Sequence, residues 1–501
     1  MIEKKAKITI YDEINVVISG LLPYDLKTLY DHYGIFIKGY FFHPLVQLNR
    51  WDGKIRFFSE GGKTYFNLLP EIIPTLKRMG YKFELIDNRR YFDISVPHVD
   101  NMYLHEWNDE DGNPITLGEH QVNAINAITD NYGGIILAGT GAGKSIIACA
   151  LIKLYEHHHK LKVIIIVPST DLVGQMRNDL SVFGVDVGQY GDKVKDIDHK
   201  HLVSTWQSLK NNPKLLASYD AIIIDECHGT KATVLKELLN GAGANCKIRI
   251  GLTGTLPKDP SELMNVKVTL GDIVYEIPAR DLMDSGWLAT LQLKMYELIE
   301  DLTEEWQQYQ IDYPKEAAEL TYKKFKMQYF ADYDAEKKYL KSKENRNKFI
   351  ANLIMSARDI RGNCFVIVDT VPFGKKLSKL IPNSYFIYAK DTTDVRKEIY
   401  SLFKDNDNMV VIATGGLVST GLNIKRIFNL FLIDQSKSFI RIIQSIGRGL
   451  RKAIDKDTIY VYDVFSDFKY AKKHSNDRKK YYKEQRYEYT VKTINYENID
   501  I

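Results

Sequence analysis

Apolar and polar positions along this chain fall into two blocks of alternation with a charged stretch between them. In the first block, short apolar runs at Gly134–Leu137, Val163–Val167, His201–Thr205, Ala221–Ile224 and Arg249–Leu252 alternate with helical patterns. Continuous apolar strands spaced by helices predict a parallel sheet covered on both faces. The second block repeats this with Cys364–Asp369, Ser384–Ala389, Met409–Ala413, Ile427–Ile433 and Thr458–Asp463. Residues 291–350 are long, charged and tyrosine-rich, and predict a helical connecting segment.

Upstream, residues 1–105 form a separate small unit. Lys7–Ile18 alternates like a strand, Asp25–Tyr33 has helical spacing, and Tyr40–Phe58 is strand-like and aromatic. From His98 to Leu117 the chain is polar and turn-rich, as a linker would be. At the other end, Lys469–Arg486 carries eight Lys/Arg against two acidic residues, interleaved with Tyr470, Tyr481 and Tyr482. A solvated face and a nucleic-acid-contacting helix are both open for that tail, which spans 466–501. The expected fold class is α/β. Two parallel-sheet domains stand in tandem, 115–290 and 351–465, with a small α+β N-terminal domain and a basic helical tail.

Composition narrows the classes. Of the 501 residues, 45% are hydrophobic and 26% charged, which suits a chain with real cores. The net charge is only +4, so a nucleic-acid surface has to be local. The four cysteines, Cys149, Cys227, Cys246 and Cys364, lack Cys-x-x-Cys spacing and read as buried thiols. His157–His159 reads as a solvated helix end. No stretch approaches the length of a membrane span, and Met1-Ile-Glu-Lys-Lys leads into no apolar signal core, so a cytoplasmic location is expected.

The chemistry gathers around Leu137–Ser145, where an apolar strand runs into Gly139, Thr140, Gly141, Ala142 and Gly143 and then a helix opening on Lys144 and Ser145. Glycines let successive N–H groups point at a polyphosphate, and the helix N-terminus adds to that field. Lys144 can reach β- and γ-phosphates, and Ser145 can offer its hydroxyl to Mg²⁺. Ala138 stands where the strict pattern has its first glycine. Gln121, on a helix upstream, can pair with an adenine edge or be an ordinary helix amide. After the strand 221–224, Asp225 is placed for Mg²⁺ and Glu226 to activate water, followed by Cys227 and His228. Thr253-Gly254-Thr255 ends the next strand. The second block has no phosphate loop. It offers Ala413–Ile424, with Gly421, and Gln444-Ser-Ile-Gly-Arg448-Gly-Leu-Arg451, whose two arginines share one face of a helix.

In order and spacing, these stretches resemble the superfamily 2 helicases and translocases over about 115–465, split across two RecA-like domains. Asn49–Arg56, with Trp51, Lys54 and Arg56, resembles part of the accessory DNA-binding domain of bacteriophage recombination helicases. Without that resemblance, a hairpin with Trp51 and Phe57 in the core and Asp52-Gly53 as its turn is the favoured reading, because charges over residues 1–110 nearly cancel. The resemblance implies ATP and Mg²⁺ as cofactors. It puts Lys144, Ser145 and Gly421 on the nucleotide, Gln121 on adenine, Asp225 on the metal, Glu226 as base, and Arg448 and Arg451 on the γ-phosphate. His228, Thr253 and Gln444 would couple hydrolysis to movement, and Thr170, Thr205, Gln207 and Thr414 would touch a DNA backbone. Gly118 and His120 stand where many relatives carry Arg and an aromatic, and Asn423 replaces a frequent Asp.

The implied function is ATP-dependent unwinding or remodelling of forks, D-loops, R-loops and Holliday junctions in recombination, replication and repair. Expected partners are branched, single- and double-stranded DNA, then RNA–DNA hybrid and single-strand-binding or recombination proteins. The rival readings are a duplex translocase that separates no strands, an RNA helicase, and a DNA-binding scaffold switched by ATP.

Overall fold

The computed structural model describes residues 4–91, 93–108, 112–139, 141–191, 193–228, 232–388, 390–391, 393–415, 426–435 and 457–498. The chain divides into two compact units, Met1–Ile277 and Pro278–Ile501.

The first unit opens with strands β1 (Lys4–Ile10), β2 (Asn15–Ser19), β3 (Gly34–Phe36), β4 (Lys54–Arg56), β5 (Lys63–Tyr65) and β6 (Tyr81–Asp87). Four of them form a sheet in the order β5-β2-β1-β6, while β3 and β4 pair by themselves. The alternation at 7–18 is thus two strands. Asp12 turns the chain by accepting the N–H groups of Ile14 and Asn15 at 2.8 and 2.7 Å. An aspartate can build a turn without glycine or proline, which hid this one. The strand-like reading of 40–58 also changes. A 3₁₀ turn at Tyr40–Phe42 and a short helix at Pro44–Gln47 precede β4, set by left-handed Gly39 and by Pro44 at the first helical position.

Next come β7 (Gly133–Ala138), β8 (Val163–Val167), β9 (Val187–Gly191), β10 (Val194–Asp196), β11 (His201–Thr205), β12 (Ala221–Asp225), β13 (Ile248–Thr253) and β14 (Ile273–Ile277). Among the described residues their order is β10-β9-β11-β8-β12-β13-β7-β14, parallel except for β10. The stretch 98–117 is not a free tether. Val99, Leu104, Ile115 and Leu117 are buried, and Asn126 clamps the backbone of Val99 through two hydrogen bonds. Nor is the accessory sheet loosely attached. Asn67 donates to the carbonyls of Lys267 and Val268, and the Lys236 ammonium lies over the Phe57 and Tyr65 rings.

The second unit contains β15 (Thr290–Leu298), β16 (Cys364–Val368), β17 (Ser384–Ile387), β18 (Val410–Thr414), β19 (Asn429–Ile433), β20 (Thr458–Ser466) and β21 (Tyr489–Ile494). All pair in parallel, in the order β17-β18-β16-β19-β20-β15-β21 among the described residues. The segment expected to be helical from 291 therefore begins inside a strand. Its half-buried alternation, Leu293 and Met295 buried between Gln292, Lys294 and Tyr296, disguises it. Likewise the basic tail ends in β21, so it is not helical throughout. Its helix, Lys469–Glu484, buries Arg478, Tyr481 and Tyr482 while exposing Lys472, Lys473, Lys480 and Lys483. Both sheets are of the RecA-like type expected.

Two buried ion-pair networks tie the second unit together. Arg346, on helix Glu344–Arg361, joins Glu300 at 2.9 Å and Asp434 at 2.7 Å, and Tyr496 donates to Glu300 at 2.6 Å. Arg478 forks onto Asp463 at 2.7 and 2.8 Å, where the Tyr482 hydroxyl also donates. Removing one member of such a pair strands a buried charge, at about 3–5 kcal/mol. Arg478→Met is expected to lower unfolding stability on that scale, read as a drop in the urea midpoint.

Candidate active site

The site grows from the C-terminal edge of the first unit's parallel sheet, where an α/β sheet opens its crevice. β7 lies beside β13, which lies beside β12, so the residues leaving these strands are forced together. The register pairs Thr253 with Leu137 and Asp225 with Leu252.

After β7, the N–H of Gly139 bonds to the Ile277 carbonyl at 3.0 Å, and Ala142 turns back to Gly139 at 3.2 Å. Gly141 and Gly143 have φ of +89° and +82°. A Cβ on Gly143 would sit 2.2 Å from Nε2 of Gln121, so beyond the strain of its positive φ a side chain there would have to displace that amide. Lys144 and Ser145 then open the helix Lys144–His159.

Gln121 is buried, and both ends of its amide are engaged. Its Oε1 accepts the Gly118 N–H at 2.9 Å, and its Nε2 donates to the Ala142 carbonyl at 3.0 Å. His120 Nε2 meets the same carbonyl at 2.9 Å. In this structure the pair braces the phosphate loop, and the adenine edge expected of Gln121 is not what its amide faces. His120 was not expected as a site residue. Its partner is a main-chain carbonyl, which leaves no trace in a side-chain pattern.

At the end of β12, Glu226 adopts φ +50°, an uncommon backbone conformation for a residue with a Cβ. Its Oε1 lies 3.5 Å from Lys144 Nζ and its Oε2 lies 3.2 Å from His228 Nδ1. Burial works against the charge on Glu226. Lys144 and His228 outweigh that and hold the carboxyl at about 2. His228 Nδ1 also lies 2.7 Å from Thr253 Oγ1, and Oγ1 lies 2.7 Å from the Thr255 carbonyl. One hydroxyl hydrogen cannot serve both. With that hydrogen on the carbonyl, which can only accept, His228 is the donor, with its proton on Nδ1 shared between Thr253 and Glu226. Lys144, Glu226, His228 and Thr253 thus form one continuous chain of polar contacts.

These residues fit a magnesium nucleotide. The glycine turn leaves room for backbone only, Lys144 is nearly enclosed, and Ser145 and the half-buried Asp225 supply the hydroxyl and carboxylate that Mg²⁺ favours. Thr170 and Gln207 are exposed on helices that follow β8 and β11, at the same edge of the sheet. Thr205 is different. It is buried, and its Oγ1 caps the helix Trp206–Asn211 by accepting the Ser208 N–H, so its hydroxyl does not face outward as expected. Thr414 ends β18 in the second unit and is largely buried. Thr140, Gly421, Asn423, Gln444, Arg448 and Arg451 lie outside the described residues.

Two outcomes test this geometry. Gln121→Leu removes both amide contacts and leaves the Ala142 carbonyl and Gly118 N–H short of partners, so the KM for MgATP should rise several-fold with kcat less affected. The second concerns pH. Glu226 has a folded-state pKa below its ordinary 4.5, so its contribution to stability is present above that value and is lost as pH falls towards about 2. Urea midpoints of the wild type and Glu226→Gln should therefore converge over that window.

The family described as Type III restriction enzyme, res subunit, matches residues 114–258, the span from before Gln121 to past Thr253. The chain is 26% identical to the ATP-dependent DNA helicase uvsW of Enterobacteria phage T4, over 93% of this chain and 95% of the relative. It is 25% identical to the DNA 3'-5' translocase XPB2 of Sulfurisphaera tokodaii, over 76% and 88% respectively. A solved fragment of an HsdR-type subunit of a type I restriction enzyme from Vibrio vulnificus shares the fold, with a TM-score of 0.53 at 17% identity over 80% of this chain and 72% of that one. With the motifs in order along a single chain, the two sequence relatives bear out the resemblance to superfamily 2 helicases and translocases, and the solved fragment bears out the fold.

Proposed function

We propose that the protein is an ATP-dependent DNA helicase or branched-DNA translocase that remodels forks and junctions in recombination, replication and repair. The observation that carries this reading is Glu226, kept ionised between Lys144 and His228 and wired to Thr253. Glu226 takes the proton of the water that attacks the γ-phosphorus as the bond to the leaving ADP oxygen breaks. Lys144, held by Glu226 in this structure, turns to the phosphates when nucleotide binds. Mg²⁺, held by Ser145 and Asp225, would neutralise phosphate charge. Arg448 and Arg451 act on the γ-phosphoryl group, a role worth roughly 10³–10⁵ in rate. His228 shares its proton between Glu226 and Thr253, so a change of charge on Glu226 is felt at the end of β13. Thr170, Gln207 and the accessory unit serve the DNA. The relatives' printed activities, DNA helicase and DNA translocase, support DNA as the substrate over RNA.

Steady-state ATPase with single-stranded, duplex, forked and four-way DNA across a salt series tests the proposal. Strong stimulation by branched DNA, falling steeply with salt, is expected. Glu226→Gln should cut that turnover by roughly 10²-fold or more while retaining DNA binding. Equal stimulation by plain duplex would favour the translocase. Stimulation by RNA alone, or none, would overturn the reading.

A further inference from the structure

The segment joining β3 to β4 exposes more large apolar surface than a soluble protein ordinarily leaves without a purpose. Phe36, Phe41, Phe42, Leu45 and Leu48 are all exposed, and Phe42 is 74% accessible. It is not a loose loop. The Phe36 and Tyr40 rings stack at 4.4 Å, and Phe41 meets Tyr40 at 5.7 Å and Phe42 at 4.3 Å. Tyr40 lies so close over the backbone of Gly53 that a Cβ there would fall 2.5 Å from its ring. The Ile37 N–H bonds to the Gly53 carbonyl at 3.0 Å, and Arg50 returns to Leu45 at 2.8 Å. Tyr40 is therefore the anchor, and Phe41 and Phe42 are the tip that it presents.

Trp51, the aromatic expected to meet DNA, is placed differently. Its Nε1 donates to the Lys54 carbonyl at 3.0 Å and its ring abuts His43, so it braces the base of the projection. Arg56 is likewise occupied, paired with Asp52 and lying over the Tyr30 ring. The stacking surface is the Phe41–Phe42 tip.

Charge identifies the occupant. No Asp or Glu occurs from Phe36 to Trp51, while Lys38 and Arg50 are exposed there and Lys54 lies over the Phe36 ring. Asp52 is held by Arg56, and Asp259, which caps the helix Pro260–Leu270, lies close enough to Lys38 for their charges to interact, leaving Arg50 as the cation nearest the tip without an acidic residue beside it in sequence. Exposed rings flanked by exposed cations match bases flanked by phosphates. We propose that Phe41 and Phe42 form a rigid aromatic wedge that stacks on the terminal base pair at a DNA branch point, with Lys38 and Arg50 on the adjoining phosphates. This rests on the DNA-remodelling reading above and names the element that gives it a preference for junctions.

The test uses the full chain and forked DNA carrying 2-aminopurine at the branch. For the wild type, 2-aminopurine fluorescence should change on binding at the branch and not when the probe lies ten base pairs away. Phe41→Ala/Phe42→Ala, at exposed positions, should abolish that change. Fork affinity should fall about tenfold or more, with a much smaller loss on plain single strand. Phe41→Trp/Phe42→Trp should restore it. Lys38→Ala/Arg50→Ala should reduce the salt slope by about two. An alanine variant with wild-type fork affinity and branch signal would overturn the wedge alone, provided wild-type ATPase responds to DNA. A variant altered only in sedimentation would overturn it in favour of self-association. No response of the wild type to any DNA would overturn both the wedge and the reading beneath it.

Discussion

Glu226 has to stay charged at a place where burial opposes charge, and much of the first unit serves that end. Lys144 and His228 supply the field that overrides desolvation. Each is delivered by a different element, Lys144 by the helix that follows β7 and His228 by the turn after β12. Only a parallel sheet with β13 between β7 and β12 brings those ends, and Thr253 with them, to one edge. The same arrangement joins Lys144, Glu226, His228 and Thr253 in one chain of polar contacts.

The phosphate loop shows a second constraint of the same kind. Its shape needs glycine at 141 and 143, but shape alone does not hold a loop still. His120 and Gln121 converge on the Ala142 carbonyl and fix it from the helix before β7. A side chain at 143 would be strained by the positive φ and would have to displace the Gln121 amide from the Ala142 carbonyl. In the second unit, order is bought instead with buried ion pairs. Arg346 and Arg478 each satisfy carboxylates from distant parts of the chain, and the latter brings the basic tail's helix into the core while its lysines face solvent.

The accessory segment joins these themes to substrate recognition. Its domain is tied by Asn67 to the helix Pro260–Leu270 and by the Phe57 and Tyr65 rings to Lys236 on the helix Ala232–Asn240, and the segment carries its exposed rings on a braced turn. A stacking element has to be rigid to push against a base pair, and the Tyr40–Gly53 contact supplies that rigidity.

Sequence by itself determined the class of fold, the position of the phosphate loop and the placing of Lys144, Asp225 and Glu226 at the ends of apolar strands. Buried parallel strands are continuous apolar runs, and phosphate chemistry demands glycines, a lysine and carboxylates at fixed offsets from them. It did not determine β15, whose half-buried alternation reads as charged helix, or β21, mostly exposed and read as basic tail, until neighbouring strands give them a sheet. Nor did it reveal the Asp12 turn, the packing of 98–117, or the bracing roles of His120 and Gln121. Those rest on single contacts between residues distant in the chain or on backbone atoms that every residue carries. Which aromatic of the accessory segment faces out was likewise a tertiary decision. Trp51 and Phe42 are both apolar rings among cations, and only the hydrogen bond to Lys54 and the stacking under Tyr40 separate brace from tip.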